Sequence, residues 1–403
     1  MGRTLSKKHR DSHFTEFRGH TELKHGVLRR YIAPWLQILK KSHAKLWIID
    51  GFAGKGKDNA GNPGSPLLLA RSAAQLRVDG VDVRLLAIEP RRDWYQALKH
   101  NLASFDAEEG GAAPVAYIRH GTLSEVQDEA FGLVGDAPVF LFLDPFGADG
   151  LELAIVRRTL ALPKGEVFAL FSHQSVCRHL AVLATEPRAE RVRRIHSESL
   201  SLFPDLEADW LEQELTAATR SDAALLPTKQ AAQRILEELF GTQSEADRIL
   251  ALSSTLWADE VTRAYLRALE TCGATHITPL AIFDEEQRCS YYLVHAAKSY
   301  LARYKMKEAI AGATNKSDLP DASKRRIRWS HAARIDEIVA TIVQRFAGEE
   351  VRWTSDGYST GCVRVFALGE TRMAYDQSKD LKVALDRYVI EKRPLRYRFP
   401  VRS

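Results

Sequence analysis

Three short apolar runs, each closed by an acid where the chain must turn, limit what this sequence can fold into. They are Lys45 to Asp50 (KLWIID), Val83 to Glu89 (VRLLAIE) and Val139 to Asp144 (VFLFLD). Runs this short and this rich in branched and aromatic residues read as buried strands. Val115 to Ile118 and Val167 to Phe171 extend the series, and the intervals leave room for a helix between each pair. Strands alternating with helices argue for a mostly parallel sheet with right-handed crossovers. In such a sheet ligands bind outside the carboxyl ends of the strands, where strand order reverses. Asp50, Glu89 and Asp144 stand at those ends.

The flanking segments complete the architecture. Leu23, Val27, Leu28, Tyr31, Trp35, Leu36 and Leu39 recur at helical spacing, so Glu22 to Lys41 predicts a covering helix with Pro34 as a kink. Between about Ser175 and Gly273 only helical patterns occur, at Val192 to Leu200, Leu206 to Ala218 and Ala231 to Phe240. Strands return at Thr275 to Phe283 and Cys289 to His295, joined by the polar turn Asp284 to Arg288, and Tyr300 to Ala311 reads as a last helix packed on the sheet. A parallel sheet ending in an antiparallel hairpin is the seven-stranded pattern of class I methyltransferases. The expected fold is therefore α/β: a Rossmann-like methyltransferase domain over residues 1–312 with a helical insertion at 175–273. A polar linker, 313–324, leads to a small domain at 325–403. There a helix from Ile327 to Phe346, a second near Ser378 to Tyr388 and a strand-like tail predict a winged helix, a fold that binds duplex DNA through its second helix.

Composition narrows the class. With 45% hydrophobic and 27% charged residues the 403-residue chain is globular, and no run approaches the roughly 18 apolar residues of a membrane span, so it reads as cytoplasmic. Cys177, Cys272, Cys289 and Cys362 form no C-x-x-C pair, which speaks against a disulfide framework or a zinc knuckle, and no metal is expected. Net charge is +5 and the pI near 8.9, with basic clusters at Lys324 to Arg328 and Lys392 to Arg398. Those clusters read equally as solvated surface or as a face toward phosphates.

The chemistry concentrates at the strand ends. Asp50-Gly51-Phe52-Ala53-Gly54-Lys55-Gly56 places glycines where a strand turns sharply and backbone must approach a ligand. With Glu89 ending the next strand, where a carboxylate can accept ribose hydroxyls, this predicts a site for S-adenosylmethionine made by Asp50, Gly51, Phe52, Gly54, Gly56 and Glu89. Gly51 to Lys57 also fits a phosphate-binding loop, but Asp58 occupies the position where Ser or Thr should hold magnesium. Ser65, before Pro66, reads as a helix N-cap. Asp144-Pro145-Phe146-Gly147 is the most specific signal. A carboxylate and a neighbouring carbonyl there can accept hydrogen bonds from an exocyclic amine and aim its lone pair, while the aromatic ring stacks on an extruded base. The catalytic candidates are thus Asp144, Pro145 and Phe146. Lys24 and His25 on the first helix and His173 and Gln174 after the fifth strand are expected near the same sheet edge, but neither they nor His120 after the third strand and His295 in the hairpin have a role assigned.

Taken together, His20 to His25 (HTELKH), Ile49 to Gly56, Gly64-Ser65-Pro66, Ile88-Glu89, Asp144 to Gly147 and Tyr291 to Ala296 (YYLVHA) resemble the bacterial three-Cys-motif partner protein family, TcmP. The resemblance covers about residues 14 to 312. It implies a Rossmann-like methyltransferase domain, an attached winged helix and a separate three-cysteine partner protein. It matches Asp50, Gly51, Gly54 and Glu89 to cofactor positions and Asp144, Pro145 and Phe146 to the acceptor-amine motif. The expected function is methyl transfer from S-adenosylmethionine to an amino group, most simply of a nucleobase in DNA or RNA. The competing reading is a non-catalytic scaffold that binds nucleic acid or the three-cysteine partner.

Overall fold

The computed structural model describes residues 7–77, 80–109, 115–145, 147–186, 190, 192, 208–283, 288–314, 327–328, 334–353, 362–371, 373, 377–392 and 395–400. The chain divides into two compact units. One comprises Met1–Phe146, Ile155–Phe171 and Leu269–Ser403; the other comprises Gly147–Ala154 and Ser172–Ala268.

The first unit is built on a mixed sheet of β1 (Lys45–Asp50), β2 (Asp82–Glu89), β3 (Ala116–His120), β4 (Val139–Leu143), β5 (Gly165–Phe171), β6 (His276–Phe283), β7 (Cys289–Ala297) and β8 (Ile327–Arg328). Its order is β3-β2-β1-β4-β5-β7-β6-β8. β1 pairs in parallel with both β2 and β4, and β7 enters antiparallel between β5 and β6. This is the Rossmann-like class I methyltransferase sheet, with its order reversing between β1 and β4. The expected hairpin is present, although its turn, 284–287, lies outside the described residues. The sheet has eight strands rather than the expected seven, because of a departure at Ile327. Ile327 does not open a helix running to Phe346; Ile327 and Arg328 pair with Ile282 and Ala281 as the edge strand β8, and the helix spans Ile335–Arg345. Without β8 the backbone of β6 would stand as an open edge, which proteins generally cover.

Alternate strand residues fill one core with α1 (Lys7–Leu39), α2 (Ser65–Arg77), α3 (Arg92–Glu109) and the helix Tyr300–Thr314. Leu46 and Ile48 of β1, Leu85 and Ala87 of β2, Phe140 and Phe142 of β4 and Leu293 of β7 point to this face. α1 contributes Leu23, Val27, Leu28, Tyr31, Ile32, Trp35, Leu36 and Leu39, all buried. At roughly 1.5–3 kcal/mol for each fully buried side chain, that stripe outweighs the approximately 3 kcal/mol cost of a proline inside a helix. Pro34 is therefore tolerated within α1.

The second unit is helical, with α6 (His173–Ala184) and helices Ala208–Phe240, Gln243–Leu250 and Trp257–Thr271. The patterns expected as two helices, from Leu206 and from Ala231, are one continuous helix with Pro227 inside it. Glu245 and Glu260 share Arg248 and Arg267 at 2.5–3.0 Å. Burial would raise Glu260, but hydrogen bonds from Arg267 and Arg248 hold it down at about 2.

The C-terminal residues join the sheet's unit. Helix Ile335–Arg345 is followed by β9 (Glu350–Arg352), helices Val363–Glu370 and Ser378–Ala384, and β10 (Val389–Lys392) with β11 (Leu395–Arg398), in a small antiparallel sheet ordered β10-β11-β9. Ile338, Ile342, Phe346, Leu368, Leu381, Tyr397 and Phe399 form a second core that includes Tyr304 of the helix Tyr300–Thr314. On the same helix the buried Lys307 amine donates to the Thr371 carbonyl at 2.8 Å. Burial and Arg303 push Lys307 down to about 6. The expected linker lies outside the described residues from 315 onward, and its first two residues end the helix Tyr300–Thr314. Among the described residues, no helix is long and apolar enough to cross a membrane.

Candidate active site at the carboxyl end of the sheet

β1 ends between β2 and β4, and its hydrogen bonding continues past Asp50 on both sides. Gly51 N–H donates to Phe142 O at 2.9 Å, and Ala53 N–H donates to Ile88 O at 3.0 Å. A Cβ on Gly51 would lie 2.9 Å from Leu143 Cδ2 and 3.1 Å from Leu123 Cδ2, so any larger residue here would force those leucines to shift. Gly54 adopts φ +62°, and a Cβ there would meet nothing within 4 Å. That is an open cradle. Gly56, at φ +84°, faces Leu98 and Asn101 of α3, and its carbonyl accepts from Gly64 N–H at 2.8 Å. Gly54 thus borders empty space while Gly56 closes the loop.

Two carboxylates organise this turn. Glu89 is buried; its Oε2 accepts from Gly54 N–H at 3.0 Å and its Oε1 from Arg91 N–H at 2.8 Å. Burial raises its pKa, and the two backbone hydrogen bonds pull it back. Asp50 has no exposed surface; Ser65 Oγ donates to it at 2.7 Å and Phe52 N–H at 3.2 Å. Burial raises Asp50 to about 7 against those hydrogen bonds, with the charge of Asp144 adding to the rise and Lys24 opposing it. Ser65 is therefore more than the expected cap. It stands as the first residue of α2, Gly64 O accepts from Leu68 N–H, and the Ser65 hydroxyl fixes Asp50. Asp58, the residue that spoiled the phosphate-loop pattern, folds its own loop: its carboxylate accepts from Ala60 N–H, Asn62 N–H and Asn62 Nδ2, each at 2.8 Å.

Asp144 follows β4 on the same face as Phe140 and Phe142, and the Lys24 ammonium of α1 donates to its Oδ2. The pair is only partly open to water, with side-chain exposures of 12% for Lys24 and 21% for Asp144. His25 lies beside it. Burial and Lys24 hold its imidazole down at about 4, with Asp144 and Asp58 pulling upward and Arg29 downward. Tyr291 of β7 is within reach of the same charge; burial, then the charge of Asp144, raises its phenol well above its ordinary value. Pro145 is buried, and Phe146 lies outside the described residues. The HTELKH segment thus delivers Lys24 and His25 to the acid that the strand pattern marked, a meeting across 120 residues that no local pattern announces.

The remaining histidines go elsewhere. His295 is fully buried within the sheet, where its Nε2 lies 3.1 Å from Glu166 Oε2 and its ring 4.8 Å from that of Tyr31, whose hydroxyl also donates to Glu166. Glu166 lies near the start of β5, whereas Asp144 follows the end of the parallel neighbour β4, so this network sits at the opposite end of the strands. His120 ends β3 and makes an edge contact with Tyr95. His173 and Gln174 open α6 in the second unit, where burial lowers the pKa of His173.

No protein-family model and no curated protein matches the chain. Among solved structures it is similar to the plantazolicin methyltransferase BamL in complex with triazolic desmethylPZN analog and SAH, at 11% identity and a TM-score of 0.28, over 73% of this chain and 91% of that one. It is also similar to "a putative sarcosine dimethylglycine methyltransferase from Galdieria sulphuraria", at 12% identity and a TM-score of 0.26, over 68% of this chain and 84% of the other. At these scores neither likeness carries weight beside the strand order and the site residues themselves.

Proposed function

We propose that this chain is an S-adenosylmethionine-dependent methyltransferase that acts on an amino group, of a nucleobase in DNA or RNA. The observation that supports it is the meeting of Asp50, Glu89 and Asp144 at the strand-order reversal, around a glycine turn that leaves open space at Gly54. The residues fit the cofactor. Each oxygen of Glu89 accepts one backbone hydrogen bond and so keeps a lone pair for a ribose hydroxyl. The turn through Gly51 and Gly54 would hold the amino-acid part, with Asp50 sealed beneath it and shaping it rather than touching the cofactor; Phe52 would fix Asp50 through its amide, and Gly56 would close the loop. When bound, S-adenosylmethionine supplies a methyl group on a positively charged sulfur. The protein's own work is positioning. Asp144 and the carbonyl of Pro145 accept hydrogen bonds from the acceptor amine, and Phe146 offers a ring for stacking.

For the nucleic-acid part of the proposal, the support is the order helix, strand, helix, helix, strand, strand of the C-terminal residues, which suits a winged helix. The basic tail is a poorer candidate than its sequence suggests. Arg396 pairs with Glu350 at 2.6 Å and Glu391 at 3.2 Å, and Arg398 also pairs with Glu350. Among the described residues, the exposed Lys379 and Lys382 of the helix Ser378–Ala384, with Arg387 after it and Lys392 of the tail, are basic side chains that can be offered to a phosphate. A separate three-cysteine protein is the protein partner proposed from the family resemblance.

Incubation with methyl-labelled cofactor and separate DNA, tRNA, rRNA, protein and small-molecule pools tests the assignment. We expect label in a nucleic-acid pool. Asp144→Ala should lower transfer by about 100-fold, the scale of misplacing a reacting group, while cofactor affinity stays within a few fold. Loss of cofactor binding in that variant would remove Asp144 from the acceptor role.

A further inference from the structure

We infer that His25 is the base that takes the proton released by the acceptor amine, with Lys24 holding Asp144 beside it. The inference rests on the methyltransferase reading above. α1 is fixed at this point from two sides. Lys24 is bonded to Asp144 after β4, and a Cβ on Gly26 would lie 3.5 Å from Ala313 Cβ of the helix Tyr300–Thr314, so the residues on both sides of His25 in the chain are held against other elements. The charged groups that reach its ring come from three elements: Lys24 and Arg29 from α1, Asp144 from the end of β4 and Asp58 from the glycine loop. His25 is thus within electrostatic reach of both the acceptor acid and the loop proposed to hold the cofactor. It is partly buried, yet it makes no hydrogen bond to any described residue.

The other groups at this edge are committed. Asp50 is sealed from solvent and accepts from Ser65 and Phe52; Glu89 holds two backbone amides; Asp144 is ion-paired with Lys24. Tyr291 retains its own proton because burial and Asp144 disfavour the phenolate. His25 is neutral at pH 7 and has nitrogen lone-pair capacity to spare.

The chemistry balances. When the amine nitrogen forms its bond to the methyl carbon, the carbon–sulfur bond breaks and its electron pair leaves with sulfur. The nitrogen is then positively charged and carries one proton too many. An alkylated exocyclic amine is a strong acid in that state, so even a weakly basic imidazole accepts its proton. Asp144 and Asp58 stabilise the resulting imidazolium, which returns the proton to water. Asp144 orients and His25 accepts.

The test compares the full-length wild type with His25→Gln and His25→Asn in two measurements. Calorimetric titration with S-adenosylmethionine should give affinities within about threefold of wild type for both variants. Labelled transfer to the pool that wild type methylates should fall by at least about 100-fold, the low end of general-base effects. In proton spectra of the full chain, the imidazole signal missing from His25→Gln should titrate near pH 4 in the wild type. Undiminished transfer in both variants overturns the inference, as does a loss of cofactor affinity that matches the loss of transfer. A wild type with no saturable cofactor binding instead overturns the methyltransferase reading, which separates the two failures.

Discussion

Asp50 is where the demands of the fold and of the site conflict most. It ends the central strand, no part of it reaches solvent, and two hydrogen bonds do not offset the burial that raises its carboxyl from 3.8 to about 7. Between those values the unfolded chain gives up the proton before the folded one does, so the folded state binds more protons. The stability conferred by neutral Asp50 is complete below pH 3.8 and is lost as pH rises through 7. Asp50→Asn keeps a polar partner for Ser65 without the charge. It should melt with the wild type near pH 4 and above it at pH 8, in a series of thermal denaturation curves. A difference independent of pH would contradict the raised carboxyl. Asp50, Glu89 and Asp144 were legible in the sequence because each is the first polar residue after an apolar run. The hydroxyl of Ser65 on Asp50 was not, since a serine before a proline at a helix start reads equally well as a cap.

At the scale of elements, turns decide how the strands enter the sheet. The tightest is between α5 (Leu153–Ala161) and β5, where Gly165 N–H donates to Leu162 O at 3.2 Å. A Cβ on Gly165 would fall 1.8 Å from Thr159 O, a backbone atom that cannot swing away. Gly165→Ala should therefore destabilise the chain by about 3 kcal/mol, the upper range for overpacking. Gly132, inside α4 (Leu123–Val134) with nothing within 4 Å, supplies the control. Gly132→Ala should stabilise by about 0.4–1 kcal/mol. Chemical denaturation of both variants checks the pair, and similar losses in the two would refute this account of the turn. α1 was legible from Glu22 onward, where its apolar stripe is periodic, but not from Lys7 to Thr21. β8 was not: two residues are too few for any alternation, and their pairing depends on β6, more than 40 residues earlier.

For the whole molecule, the strand order alone explains why the acids converge. β1 lies between β2 and β4, so residues 50, 89 and 144 come to one edge although long crossovers separate them. The first helix then closes over that edge and brings Lys24 and His25 to Asp144. The approach of Lys24 and His25 to this edge was legible, but their pairing with Asp144 was not, because a charged pair on a helix face is ordinarily solvated and its partner lies in another element. The C-terminal residues share a core with the helix Tyr300–Thr314, through Tyr304 and the buried Lys307, and so belong to the same unit as the sheet. The central claim, that the glycine turn and Glu89 form a cofactor site, is tested most directly by calorimetric titration of the purified chain with S-adenosylmethionine. Saturable binding of one molecule per chain, weakened at least tenfold in Glu89→Ala, is the predicted result; heats indistinguishable from dilution in the wild type would contradict it.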